Sequence, residues 1–324
     1  MTMDVEATID PEIAAALALS PMGAIDFGTF TFEAMPAMRD AMANMPAVEL
    51  PPTTAVSREV TVSGATGFDP TVRVYSPPTE ASARPCVYWI HGGGYMFGSG
   101  LTVDARINRW VEEFDCVAVS IEYRLAPEHP FPAPLEDAWA GFAWAAANAT
   151  ELGLDPERIA VGGDSAGGNM AAVVSLLARA GGGAMPAMQL LIYPPTDTAG
   201  DLPSRQLFAE GFLLTKADME QFERHYLPEG TDRSDPRISI LRAPDLRGLP
   251  PAYVTTAGFD PLRDEGEAYA ERLREAGVHV ALRRHSGLVH SFVNQTAVCP
   301  SAHGAMLEVA GALRMGLAPG DAGR

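Results

Sequence analysis

Cysteine is scarce, at three in 324 residues. Cys86, Cys116 and Cys299 are too few and too scattered for a disulfide framework or a zinc site. Cys86 and Cys116 lie in the apolar runs PCVYWI and CVAVSI, which makes them small hydrophobes on buried strands. No run reaches the roughly 18 apolar residues that a membrane span requires. The opening MTMDVEATIDPEI carries acids where a secretion signal needs basic residues, and the apolar stretch IAAALAL is short. Basic side chains are also in deficit, 23 against 41 acidic, for a formal charge of -18. Such a surface repels phosphate backbones and anionic lipid heads, which excludes nucleic acid and membrane surfaces as partners. The expectation is a cytoplasmic protein with free thiols and no metal or cofactor.

What is present is a folded globular composition, 47% apolar and 20% charged, with no low-complexity tract. The length allows two ordinary domains or one large α/β domain, and it buries a large core without staples. From about residue 57 strand-like and helix-like segments alternate. Arg58 to Val62 and Thr71 to Ser76 alternate apolar and polar, as half-exposed edge strands do. Pro85 to Ile90, Cys116 to Tyr123, Arg158 to Gly162, Met188 to Tyr193, Ala252 to Thr256 and Val278 to Arg283 are short and mostly apolar, the pattern of strands covered on both faces. Helices are predicted between and after them, at Val103 to Phe114, Leu135 to Ala149, Ala166 to Ala180, Leu262 to Ala276 and Ser301 to Met315. This order implies one mostly parallel sheet with helices on both faces.

Two regions break the alternation: residues 1 to about 48, and about 198 to 232 with a predicted helix at Lys216 to Tyr226. Both are placed over the carboxyl ends of the strands, where open α/β sheets bind ligands. In the first, Met35, Met38, Met42 and Met45 share one helical face. That stripe either packs the helix onto the body or lines an adaptable acyl pocket.

The chemistry concentrates where strands end. Gly163-Asp164-Ser165-Ala166-Gly167 follows the strand Ile159-Ala160-Val161 and opens an alanine-rich helix. A turn that tight strains the serine backbone and needs very small flanking residues. It also sets the hydroxyl at the positive end of the helix. His91-Gly92-Gly93-Gly94 follows another strand; its consecutive glycines let backbone N–H groups converge on an oxyanion. The Gly-Lys-Ser/Thr ending of a phosphate-binding loop is missing. With the Ala166 N–H the loop supplies up to three donors, and His91 and Gly92 support the loop. Ser165 needs a base, and the base an orienting acid. His290 lies just past the last predicted strand, with His285 as rival; Asp260 directly follows a strand and short turn, with Asp264 as rival.

These segments together resemble the bacterial hormone-sensitive-lipase family of esterases, the family IV lipolytic enzymes, in the subgroup with Asp before the nucleophile. The resemblance rests on His91-Gly92-Gly93-Gly94-Tyr95, on Tyr123 to Ala133 (YRLAPEHPFPA), on the Gly163 to Asn169 turn, on Asp260-Pro261-Leu262-Arg263-Asp264-Glu265-Gly266 and on Gly287 to Phe292. It spans most of residues 57 to 315 and implies an α/β-hydrolase fold with a helical cap, formed by the two off-beat regions on a single domain. It also implies Ser165 as nucleophile, His290 as base and Asp260 as orienter, in the order that α/β-hydrolases use, with Gly93, Gly94 and Ala166 as the oxyanion donors. Ser291 departs from the glycine many members carry after the histidine. The resemblance favours short- to medium-chain acyl esters as substrates, and a homodimer is compatible with it. Tyr95, Met96, Phe208, Phe212, Leu213 and Leu214 are the candidate pocket residues. The same triad also serves lactonases, amidases, carbamate hydrolases and thioesterases. A more distant alternative is a small-molecule receptor such as the plant gibberellin receptor, which resembles this family but lacks the catalytic histidine.

Overall fold

The computed structural model describes residues 8–19, 34–43, 53–64 and 67–318. Among these residues eight strands form one sheet: β1 (Val56–Thr61), β2 (Thr71–Ser76), β3 (Arg84–Ile90), β4 (Val117–Glu122), β5 (Leu154–Asp164), β6 (Met188–Ile192), β7 (Ala252–Phe259) and β8 (Val280–Val289). Their spatial order is β1-β2-β4-β3-β5-β6-β7-β8. Only the pairs involving β2 are antiparallel; β4, β3, β5, β6, β7 and β8 run parallel.

Side-chain alternation divides the core in two. On β3, Cys86, Tyr88 and Ile90 enter one layer with the apolar faces of α4 (Ala133–Ala147), α5 (Ala166–Gly181) and α8 (Arg263–Glu275). Val87 and Trp89 enter the other, against α3 (Gly100–Phe114) and α9 (Pro300–Gly316). A slip of one residue would exchange the two sets. With burial of each such side chain contributing about 1.5–3 kcal/mol, the register is strongly specified.

The last strand differs from expectation. The segment Val278 to Arg283 reads as covered on both faces, yet β8 begins at Val280, runs to Val289 and is an edge strand paired only with β7. Its residues stay half-buried or exposed until Leu288 and Val289. Adjacent arginines explain this: Arg283 pairs with Glu308 of α9 and Arg284 with Glu267 of α8, one to each side of the sheet.

The off-beat regions contribute α1 (Pro11–Leu19) and α2 (Met35–Ala43), then α6 (Pro203–Leu207) and α7 (Lys216–Tyr226). Helix α7 starts on a reciprocal cap, in which Thr215 accepts from the Asp218 N–H and the Asp218 carboxylate accepts from the Thr215 N–H. Ile13 of α1 and Met35 of α2 are fully buried, and Met38 packs partly buried on the core. The packing reading of the methionine stripe therefore holds for Met35 and Met38. The Met42 side chain and Met45 lie outside the described residues. No helix among the described residues is long and apolar enough to cross a membrane.

Candidate active site

Ser165 occupies the single residue between β5 and α5, at φ 53°, ψ -125°. That left-handed geometry is rare for a residue with a side chain. It persists because the chain closes around it: a Cβ on Gly163 would collide with the Gly167 backbone, and one on Gly167 with the Ile90 carbonyl. The serine hydroxyl thus stands at the amino end of a 16-residue helix, where the aligned peptide dipoles favour negative charge.

His290 follows directly on β8. Its Nε2 lies 2.9 Å from Ser165 Oγ and its Nδ1 lies 2.7 Å from Asp260 Oδ2. Asp260 is completely buried and its other oxygen accepts the Leu262 N–H at 2.8 Å. The Tyr193 ring, backed edge-on by Phe292, packs against His290 with centroids 4.5 Å apart. Both rivals are elsewhere. His285 sits within β8 beside Phe292, its pKa lowered by burial. Asp264 accepts from the Ser204 N–H and from Arg263.

The glycine loop after β3 turns through three left-handed residues, Gly93 (φ 121°), Gly94 (φ 60°) and Tyr95 (φ 63°). The Gly93 carbonyl accepts from the Met96 and Phe97 N–H groups, closing the turn. Among the described residues the N–H groups of Gly93, Gly94 and Ala166 have no acceptor. Three free donors beside a nucleophile are what a developing oxyanion requires.

His91 braces this loop: its ring stacks on Tyr123 at 4.2 Å, its Nδ1 lies 2.8 Å from the Gly92 carbonyl, and the Tyr123 hydroxyl donates to the His91 carbonyl. Burial pushes its pKa down from 6.5 to about 4. The unfolded imidazole protonates near pH 6.5 while the folded one stays neutral, so the unfolded state binds more protons across that window. Stability present above pH 6.5 is therefore lost as the pH falls toward 4, by about 2–3 kcal/mol from this group. Denaturant titrations at pH 7 and 4.5 should show His91→Gln losing less stability on acidification than the wild type. Equal losses would refute the assignment.

A cavity of about 470 Å³ opens onto Ser165 and His290. Its apolar wall includes Tyr95, Phe97, Leu213, Leu214, Met219 and Phe222. Arg106 contributes a polar edge, 3.5 Å from both Asp164 and Asn294.

The pattern of a family described as alpha/beta hydrolase fold matches residues 87–294. The chain belongs to the α/β-hydrolase fold family. Within that family it groups with the family IV carboxylesterases. The hydrolase is 44% identical over 297 residues to the carboxylic ester hydrolase LipN of Mycobacterium tuberculosis, covering 89% of this chain and 77% of the relative. It is 42% identical over 287 residues to the carboxylesterase NlhH of that organism, covering 86% and 89%. A thermostable esterase from Pseudomonas putida has a similar structure, with a TM-score of 0.88 at 32% identity over 98% of this chain and all of that one. An ester hydrolase from the metagenome of Lake Arreo gives 0.87 at 39% identity, over 95% and 99%.

Among the candidate pocket residues, the hydrolase places Tyr95, Leu213 and Leu214 on the cavity wall. Met96, Phe208 and Phe212 do not line it. Met96 is buried in the core, while its neighbours Tyr95 and Phe97 reach the cavity. Phe208 and Phe212 pack with Phe259 in an aromatic cluster, its centroids 5.2 to 5.6 Å apart. Sequence reading missed Met219 and Phe222 of α7, whose three-residue spacing on a predicted helix was the available signal. It also missed Arg39 and Asp40, which line the cavity from α2 in place of its methionines.

Proposed function

We propose that this hydrolase cleaves short- to medium-chain acyl esters through an acyl-enzyme on Ser165, as a member of the Asp-before-serine subgroup. In this reading the cap of residues 1–48 and 198–232 is represented by its described parts, 8–19, 34–43 and 198–232, over the remaining α/β body. The observation that carries the reading is the chain Ser165 Oγ, His290 Nε2, His290 Nδ1 and Asp260 Oδ2, at 2.9 and 2.7 Å, facing three unengaged N–H donors.

Each step follows from that geometry. Ser165 Oγ attacks the ester carbonyl carbon as His290 Nε2 takes its proton, and the carbonyl π electrons move onto the oxygen. Gly93, Gly94 and Ala166 hold that oxyanion. Asp260 keeps the other imidazole proton on Nδ1 and stabilises the imidazolium. The tetrahedral adduct collapses, the alcohol leaves with the proton from Nε2, and the acyl group stays on Ser165. Water, deprotonated by the same nitrogen, attacks the acyl carbon; the acyl–Oγ bond breaks, Ser165 Oγ takes the proton back from Nε2, and the acid is released. Apolar and aromatic walls suit a small acyl or alcohol group, and the similarity to LipN and NlhH supports an ester over other acyl compounds. The three buried, unpaired thiols support a reducing, cytoplasmic setting.

The test is hydrolysis of p-nitrophenyl esters from acetate to palmitate, with fluorophosphonate labelling alongside. kcat/KM should peak at short or medium chains and be lost at palmitate. A peak at palmitate would refute the chain-length reading. Normal labelling with no hydrolysis anywhere in the series would retain the nucleophile and move the substrate to lactones or amides.

A further inference from the structure

The segment Tyr123 to Ala133 contributes no member of the triad and no oxyanion donor, yet Arg39 of α2 reaches across to it. Its guanidinium forks onto Glu128, Nη1 donating to Oε1 and Nη2 to Oε2, both at 2.8 Å. The same group donates from Nη2 to the Ala126 carbonyl at 2.6 Å and from Nε to the Met96 carbonyl at 2.7 Å. Only a rigid planar fork with several donors makes all these bonds at once.

Both carbonyls belong to the support of the oxyanion turn. Met96 donates its N–H to the Gly93 carbonyl, and Ala126 donates its N–H to the Tyr95 carbonyl. Between them run Gly93, Gly94 and Tyr95, all with positive φ. A backbone in that region persists only where its surroundings over-determine it. His91 and Tyr123 hold the turn from one side, and the stack of Tyr95 on Tyr226, 3.8 Å apart, holds it from α7. Arg39 fixes its trailing end from the cavity side, where Arg39 also lines the substrate space.

We propose that Arg39 is a positioning residue for the oxyanion turn, anchored by Glu128, so that α2 sets the aim of the Gly93 and Gly94 donors as well as walling the cavity. This rests on the ester-hydrolase reading. The Arg39 and Glu128 side chains keep 23% and 32% of their exposure, and ion pairs that wet add little to global stability. Loss of Arg39 therefore acts on the turn more than on the fold. The Met96 carbonyl loses its donor, the turn gains freedom, and the donors spread around the position the oxyanion takes up.

The experiment compares wild type, Arg39→Met, Arg39→Lys and Glu128→Gln on p-nitrophenyl butyrate. It reads kcat, KM, the thermal midpoint and the affinity for an aryl trifluoromethyl ketone, whose adduct with a serine carries the oxyanion. In Arg39→Met, kcat should fall about 10–100-fold, less than the 10²–10³ for a donor removed outright. Ketone affinity should fall in proportion, with KM near its wild-type value. Arg39→Lys should recover only part of this, since one ammonium cannot span two carbonyls and a carboxylate. Glu128→Gln, which keeps the shape but weakens the anchor, should lose less than Arg39→Met. A change confined to KM would make Arg39 a cavity wall only and overturn the proposal, as would wild-type kcat and ketone affinity in Arg39→Met. Should Arg39→Met fail to fold, Glu128→Gln decides, and unchanged kcat and ketone affinity there would overturn it. A wild-type protein inert toward every ester would instead refute the ester-hydrolase reading itself.

Discussion

Ser165→Ala and His290→Ala should each lower kcat/KM for the best p-nitrophenyl ester by about 10⁴–10⁶, and the double variant should be little worse than either alone. The serine and the imidazole act as one unit: without His290 Nε2 at 2.9 Å the hydroxyl has no acceptor for its proton, and without the hydroxyl the base has nothing to activate. What survives is the attraction of the three N–H donors for a developing oxyanion, a residual acceleration of about 10³–10⁴ over water. The measurement is kcat/KM for the four proteins with thermal midpoints as a folding control. Additive losses, or a His290→Ala variant within tenfold of wild type, would break the unit and with it the mechanism. Midpoints should move little for Ser165→Ala. Removing the hydroxyl relieves the strained φ of 53° of nothing, since the backbone turn is set by Gly163 and Gly167.

Much of this site was legible because its chemistry needs particular backbones. A serine at a left-handed turn requires glycine on both sides, so Gly163 and Gly167 declare Ser165 in the sequence. Converging N–H donors require residues that tolerate positive φ, so Gly93 and Gly94 declare the turn that carries the proposed oxyanion donors. The sheet was legible for a related reason, since strands buried on both faces read as apolar runs. The edge strand β8 did not, because its arginines answer to Glu308 and Glu267 on helices distant in sequence.

The cavity wall was less legible. Phe208, Phe212, Leu213 and Leu214 are neighbours in sequence, but only the leucines line the cavity, since Phe259 captures both phenylalanines. Apolar character alone does not distinguish a wall from a packing contact. Arg39 was illegible altogether: its partners are two backbone carbonyls and a carboxylate that folding brings together across 57 to 89 residues.

Asp260→Asn should cost about 10⁴ in kcat with the fold intact, and hydrogen-bond polarity in this structure says why. Asp260 works with both oxygens as acceptors, Oδ1 for the Leu262 N–H at 2.8 Å and Oδ2 for His290 Nδ1 at 2.7 Å. An asparagine has one acceptor and one donor in those places. If its carbonyl stays with Leu262, its NH₂ faces Nδ1 and requires that nitrogen to be bare. The imidazole proton then moves to Nε2, which donates to Ser165 instead of accepting from it. If the amide flips, Nδ1 keeps its proton but the NH₂ confronts the Leu262 N–H, two donors in a site with no exposure. Leaving such a buried pair unsatisfied costs about 1–3 kcal/mol, so the first orientation and the wrong tautomer prevail. Asp264→Asn, which disturbs only the contacts to Ser204 and Arg263, should turn over at the wild-type rate. Paired kcat values for the two variants decide the matter: a fully active Asp260→Asn beside a crippled Asp264→Asn would transfer the orienting role to Asp264. The two carboxylates stand four residues apart in one motif. What separates them chemically is the identity of the donors: Asp260 accepts from the base itself, whereas both oxygens of Asp264 are taken by the Ser204 N–H and Arg263.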